Sequence, residues 1–262
     1  MTETGNPATR PTIRAELRLC LGLLTRLPAG VAGTVAPSVV ARASRWFPVV
    51  GALVGFLSAC VLWIGALIGL PDMAAVLIAI AASILLTGAL HEDGLADVAD
   101  GFGGGADRDA KLNIMRDSRI GAYGMLALLM VVGLKTALLV SLLKTGAGTA
   151  AVAMIVAAAV SRLTPVLLMN RLPAARSDGM AVEAGTPDNE TVRIACVLAL
   201  ASLLILSGWL AMLTAIVLTL AATAAIGALA RRQIGGQTGD VLGAGQQVTE
   251  ACVLIGLAAT GT

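Results

Sequence analysis

The chain has 262 residues, of which 57% are hydrophobic and 13% charged, with a mean hydropathy of +0.89. Soluble domains carry about 25% charged residues, so this composition excludes an ordinary soluble enzyme and calls for lipid around most of the chain. The net charge of +2 comes from dispersed arginines without interleaved aromatic residues, which argues against a nucleic-acid surface.

The first eleven residues are polar. Residues 13–27 are apolar but interrupted by Arg14, Glu16, Arg18 and Arg26, the pattern of an amphipathic helix and not of a cleavable signal. A membrane-crossing helix needs about 20 apolar residues. Candidate spans follow at 47–70, 73–90, 123–143, 148–169, 194–210 and 212–229, with a shorter run at 248–259. The count is six or seven, because Ser207-Gly208-Trp209 reads either as a tight turn or as the middle of a tilted span. Pro71-Asp72 and Thr145-Gly146 supply clear breaks. The expected fold is therefore an all-α polytopic membrane bundle, one domain over 1–262, preceded by a cytoplasmic segment at 1–45. Its 30 glycines suit close helix approach and make self-association into a homo-oligomer an expectation. Cys20, Cys60, Cys196 and Cys252 are far apart with no CxxC pair, so neither a disulfide framework nor zinc is indicated.

Cations sort the connections. Arg10, Arg14, Arg18, Arg26, Arg42 and Arg45 precede the first span, and Arg108, Lys111, Arg116 and Arg119 follow the second. Arg171, Arg176 and Arg193 follow the fourth, and Arg231 and Arg232 the sixth, whereas the alternate connections hold only Asp72 and Lys144. The positive-inside rule puts the N-terminus and the three long loops in the cytoplasm, with the protein in the inner membrane. Lys135 and Arg162 fall within spans, where a charge either faces the bundle interior or snorkels.

The chemistry concentrates in the polar stretch at 91–119, expected as a cytoplasmic catalytic loop. Asp93, Asp97 and Asp100 stand at i, i+4 and i+7, one face of a helix. Three stacked carboxylates repel unless a cation neutralises them, and hard divalent cations prefer oxygen ligands shared with substrate phosphates. The pattern reads as a Mg²⁺ platform, with Mn²⁺ as a substitute. Glu92 lies about 100° round the helix, either joining the site from its edge or facing solvent. Asp117 is a further carboxylate, Ser118 a candidate cap of the next helix or a substrate contact, and Arg116 and Arg119 candidate phosphate clamps. Gly103–Gly105 would let backbone amides approach a phosphate. His91, the only histidine, reads as a general base, a partner of the metal ligands or an interfacial residue. Before the last span, a glycine-rich element presents Gly239 and Asp240 as substrate contacts or ligands. Arg162, Asn170, Arg171 and Asp178 are weaker candidates at the same end.

The run LTGALHEDGLADVADGFGGGADRDAKLNIMRDSRIGAYG at 86–124 resembles the signature of the cobalamin synthase family, the adenosylcobinamide-GDP ribazoletransferases. Phe47-Pro48-Val49-Val50-Gly51, GGQTGDVLGA at 235–244 and Arg26-Leu27-Pro28 extend the resemblance along nearly the whole chain, in order. It implies a Mg²⁺-dependent membrane enzyme that joins adenosylcobinamide-GDP to α-ribazole or its 5′-phosphate and releases GMP. On that reading Asp93, Asp97 and Asp100 hold Mg²⁺, Asp117 is a less certain fourth carboxylate, Arg116 and Arg119 balance the pyrophosphate, and His91 or a free carboxylate takes the hydroxyl proton. Asp97-Val98-Ala99-Asp100-Gly101 also resembles the start of the CDP-alcohol phosphotransferase motif, but the Ala-Arg pair that should follow is absent. A transporter is the rival outside enzymes. Its polar groups belong near the bilayer midplane, and here only Lys135 argues for that.

Overall fold

The computed structural model describes residues 12–30, 35–206 and 208–260; the polar start, Arg10 and Ser207 lie outside them. Those residues form helices joined by short turns. α1 (Ile13–Leu24) is followed by α2 (Pro37–Ala43), a 3₁₀ turn (Ser44–Trp46) and α3 (Phe47–Leu67). Then come α4 (Asp72–Thr87), α5 (Leu90–Gly104), α6 (Arg108–Ile114) and α7 (Ala122–Thr145). The chain ends with α8 (Ala147–Ser161), α9 (Leu163–Arg171), α10 (Met180–Ala184), α11 (Asn189–Leu206), α12 (Trp209–Ile234) and α13 (Gly239–Thr260).

Among the described residues, five stretches are long and apolar enough to cross a membrane: 37–67, 122–145, 147–171, 209–234 and 239–260. A sixth is reached if α4 and α5, bent by 90°, count as one broken span. The chain is thus an all-α, multi-pass membrane protein, with five to six such spans against the six or seven expected. Residues 194–206 fall in α11 and 209–210 in α12, while Ser207, at the centre of the choice between a turn and a tilted span, lies outside the described residues. The last span is longer than expected, because helix starts at Gly239 and the polar Gln246, Gln247 and Glu250 are helical.

α1 has the amphipathic form expected. Thr12 caps it, its side chain accepting from the Ala15 N–H. Glu16, Cys20 and Leu24, spaced by four, are its buried stripe, while Arg14 and Arg18 face outward. Glu16 is completely buried, and its carboxylate accepts from Arg42 Nε (2.8 Å), Arg45 Nη2 (2.6 Å) and Trp46 Nε1 (2.9 Å). Burial raises its pKa, but the bonds from Trp46, Arg42 and Arg45 outweigh that and hold it below the usual carboxylate value. The resulting stability is present above the unfolded pKa and is lost as pH falls through the depressed folded value. Glu16→Gln should therefore lower stability by about 2–4 kcal/mol, since it removes the buried charge that Arg42, Arg45 and Trp46 share. A thermal-unfolding comparison of wild type and variant near pH 7 and pH 4 checks this, and the gap should shrink at the lower pH.

The stretch 147–171 is the centre of the bundle, 89% of its apolar window being buried. α3 lies directly on it at Gly55, where an added Cβ would sit 2.7 Å from the Ile155 Cα; Gly51 is just as tight against the Ala158 carbonyl. The four cysteines are free. Lys135 and Arg162 face the interior, as the charge of a membrane-buried side chain requires.

α4 stops at Thr87, short of the expected 90, because Gly88 (φ 65°) and Ala89 (φ 59°) both adopt left-handed backbone. Alanine is uncommon there and costs about 1 kcal/mol or more. The bend is held by Arg26, whose N–H donates to the Leu86 carbonyl (2.7 Å) and whose side chain fills the space over Gly88. The Arg26-Leu27-Pro28 segment thus braces the turn that redirects the chain into α5.

Candidate active site

The stretch expected as a loop, 91–119, is mostly helix. α5 carries all three aspartates, as their spacing predicts, but their surroundings differ. Asp93 is exposed and Asp97 half-buried. Asp100 is buried and serves the next helix: it accepts from the N–H groups of Gly121 (2.7 Å) and Gly124 (2.9 Å) at the start of α7. An anion suits that position, because a helix N-terminus leaves N–H groups unpaired and carries partial positive charge. Ser118 is exposed and does not cap α7; the cap position is Gly121, with Asp100 as the acceptor. Asp100→Asn should cost about 1–2 kcal/mol of stability, read as a lower midpoint of thermal unfolding. A variant that melts like the wild type would remove the capping role.

Glu92 turns away from the aspartates, toward the interior rather than solvent. It accepts from Gln247 Nε2 (2.9 Å), in a network where Lys135 Nζ donates to Gln247 (2.9 Å) and lies 3.3 Å from Glu250. Gln246 links Glu250 to Ser161. Glu250, Gln246 and Gln247 were not anticipated; their trace in the sequence is three polar residues within one turn of the apolar last span. This network clamps α5 to α13, α7 and α8.

Asp117 does not reach the other carboxylates. It pairs with Arg119 (2.6 Å), and those bonds hold its carboxyl down at about 2. Arg119 itself is 87% exposed. Arg116 reaches Asp178 (2.6 Å), in an exposed pair worth about 0–1 kcal/mol that costs little to open. The Gly103–Gly105 run is committed to packing: a Cβ at Gly103 would meet the Tyr123 ring at 2.7 Å, and one at Gly105 the Lys111 N at 2.7 Å.

What joins Asp93 and Asp97 is Asp240. α5 crosses the start of α13 at Gly94, where an added Cβ would lie 2.8 Å from the Asp240 carbonyl oxygen, and Gly243 makes the reciprocal approach to His91. The turn before α13 is stitched in place: Ala175 N–H donates to Gln237 O, Gln237 N–H donates to Pro173 O (both 2.8 Å), and Thr238 caps the helix by accepting from the Val241 N–H. Arg176 Nη2 lies 3.7 Å from Asp240 Oδ2. Asp97 stands in the field of Asp93, Asp240 and Asp100, with Arg176 as the opposing charge.

These residues border a cavity of about 180 Å³ lined by His91, Asp93, Arg162, Arg176, Gly239 and Asp240, with apolar walls from α1, α3 and α9. Asp178, the partner of Arg116, is on its rim. No three of the described His, Cys, Asp and Glu side chains converge at metal-ligand spacing. Carboxylate oxygens are nonetheless the donors a hard divalent cation prefers, and Asp97 has three carboxylates around it, Asp93, Asp240 and Asp100, against the single opposing charge of Arg176.

Fold and site together define a polytopic helical membrane protein with a carboxylate-rich cavity at the α5–α13 crossing. Residues 16–258 match the family described as cobalamin-5-phosphate synthase, and the chain belongs to that family. It is 46% identical over 252 residues to an adenosylcobinamide-GDP ribazoletransferase of Azorhizobium caulinodans, covering 94% of this chain and 96% of the relative. Those of Bradyrhizobium diazoefficiens (42%, covering 94% of both chains) and Brucella canis (43%, covering 90% and 94%) are similarly related. No solved structure matches the chain.

Proposed function

We propose that the chain is an adenosylcobinamide-GDP ribazoletransferase, joining the activated corrinoid to α-ribazole or its 5′-phosphate and releasing GMP. The observation that carries this reading is the cavity at the α5–α13 crossing, where Asp93 and Asp240 stand beside Arg176 and His91, with Asp97 in the field of both carboxylates. In the reaction a ribazole hydroxyl oxygen bonds to the corrinoid-side phosphorus of the pyrophosphate, the bridging P–O bond breaks, and GMP leaves with that oxygen. Such transfers depend on charge neutralisation and in-line positioning. Asp93, Asp97 and Asp240 would hold Mg²⁺, which supplies neutralisation of the phosphate charge when bound. Arg176 and Arg116 donate to phosphate oxygens. His91, on the cavity wall, receives the hydroxyl proton.

The segments carrying these groups touch one another: Arg108 donates to the carbonyls of Ile234 and Ala175, and Lys111 donates to Gln233. Their shared cation content supports placing this end in the cytoplasm and the protein in the inner membrane. Cysteines introduced at exposed positions 93 or 116 should resist labelling from outside spheroplasts; efficient labelling would reverse the orientation. The activity is tested with purified protein in detergent, given adenosylcobinamide-GDP, α-ribazole and Mg²⁺. GMP should appear only when all three are present, and its absence with active substrates rules the transferase reading out.

A further inference from the structure

The cavity has two unlike ends. Its polar mouth is formed by Asp93, Arg176 and Asp240, and its opposite wall by Leu23, Leu24, Phe47, Leu90, Pro165 and Met169. At that inner end lies Arg162, packed on Gly51 one turn after Phe47 and 2% exposed, whose Nη1 donates to the Ala158 carbonyl (2.8 Å) while its Nε has no hydrogen-bond partner among the described residues. A buried guanidinium N–H without an acceptor is costly unless a ligand completes it. Arg176 Nε and Gln237 Oε1, on the same cavity, are likewise unpartnered.

We infer that this inner end is the binding site for the aromatic base of the ribazole, with the Arg162 Nε–H donating to the one ring nitrogen that the ribose leaves free. The inference rests on the transferase reading above. α-Ribazole is the riboside of a dimethylated benzimidazole: a flat apolar bicycle with two methyl groups and a single free acceptor. Aliphatic side chains and the Phe47 ring match its faces and methyls, and one donor matches its one acceptor. Guanine, the other base in the reaction, carries several donors and acceptors along its edges. Against Leu23, Leu24, Phe47, Pro165 and Met169 most of them would be left unpaired, so the guanosine end belongs at the mouth or outside. The unpartnered Arg176 Nε and Gln237 Oε1 lie toward the phosphate and ribose, where acceptors and hydroxyls are plentiful. This arrangement also points the ribose hydroxyls toward Asp93 and Asp240.

The test is a base series with the wild-type enzyme, measuring KM by GMP release for ribosides of benzimidazole, 5-methylbenzimidazole and 5,6-dimethylbenzimidazole. KM should fall about fourfold with each methyl buried. The riboside of dimethylindole, in which carbon replaces the acceptor nitrogen, should bind at least about tenfold more weakly. Leu23→Trp, which narrows the inner end from a half-buried lining position, should raise the KM for α-ribazole about tenfold or more. The KM for adenosylcobinamide-GDP should stay within about twofold. A flat base series overturns the inference, as does a Leu23→Trp enzyme whose defect falls on the corrinoid substrate alone. GMP release by the wild type separates the two levels: without it the transferase reading itself fails, and with it a flat series removes only the base site.

Discussion

Asp97→Asn should reduce GMP release by at least about 10²-fold while the protein extracts, elutes and melts like the wild type. The reason is the position of Asp97 between two elements. It projects from α5 into the field of Asp93, one turn before it on the same helix, and of Asp240, on the facing end of α13. Unlike Asp100, it has no helix terminus to cap, so its carboxylate contributes repulsion to the resting fold and nothing that an amide would fail to replace. A group whose charge is unfavourable at rest is retained for what the charge does with ligand present. The amide keeps the volume and removes the charge, which lowers cation affinity and leaves packing intact. Titrating Mg²⁺ against activity distinguishes lost affinity from lost turnover. An unchanged rate at ordinary Mg²⁺ would remove Asp97 from the site.

Gly94→Val should be nearly as damaging, for a mechanical reason. An added Cβ at Gly94 meets the Asp240 carbonyl oxygen at 2.8 Å and the Asp240 Cα at 3.0 Å, and both are backbone atoms that cannot rotate away. The helices must separate, carrying Asp240 away from Asp93 and Asp97. Misplacement of a reacting group by about 1 Å costs on the order of 10²-fold in rate, whereas overpacking of this size costs about 1–3 kcal/mol in stability. The variant should therefore remain folded and lose activity. Gly133→Ala, at a helix position where the new Cβ meets nothing within 4 Å, is the matched control and should leave both properties unchanged. Equal activity in the two variants would mean that the α5–α13 approach does not position the site.

These two variants probe different kinds of information in the chain. The aspartate spacing is a local property: i, i+4 and i+7 share a helix face whatever the rest of the protein does. That local rule put the three aspartates on one face of α5, and composition alone set the membrane class, because a largely apolar chain of this length cannot hide its side chains from water in a single soluble core. The amphipathic α1 followed from the same kind of reasoning, whereas for Lys135 and Arg162 composition left interior and snorkelling positions open and the fold chose the interior. The clustering of cationic connections was legible too, since charge counting reads it without any three-dimensional information.

Roles that depend on which element sits opposite were decided only by tertiary structure. Asp100 shares a face with Asp93 and Asp97, yet the start of α7 lies within its reach, so it caps that helix. Glu92 faces the interior because Gln247 and Lys135, more than 40 residues downstream, supply its partner and balancing charge. Asp117 is taken by Arg119 two residues away. Asp240, about 150 residues beyond α5, enters the carboxylate group because glycine at 94 and 243 lets two helices meet backbone to backbone. Sequence by itself determined the solvent, most of the apolar helices and the shared face of the α5 aspartates. Tertiary structure decided which of the α5 carboxylates remain available for chemistry, because a charge in a low-dielectric bundle is assigned by its nearest partner, and partners here come from distant parts of the chain.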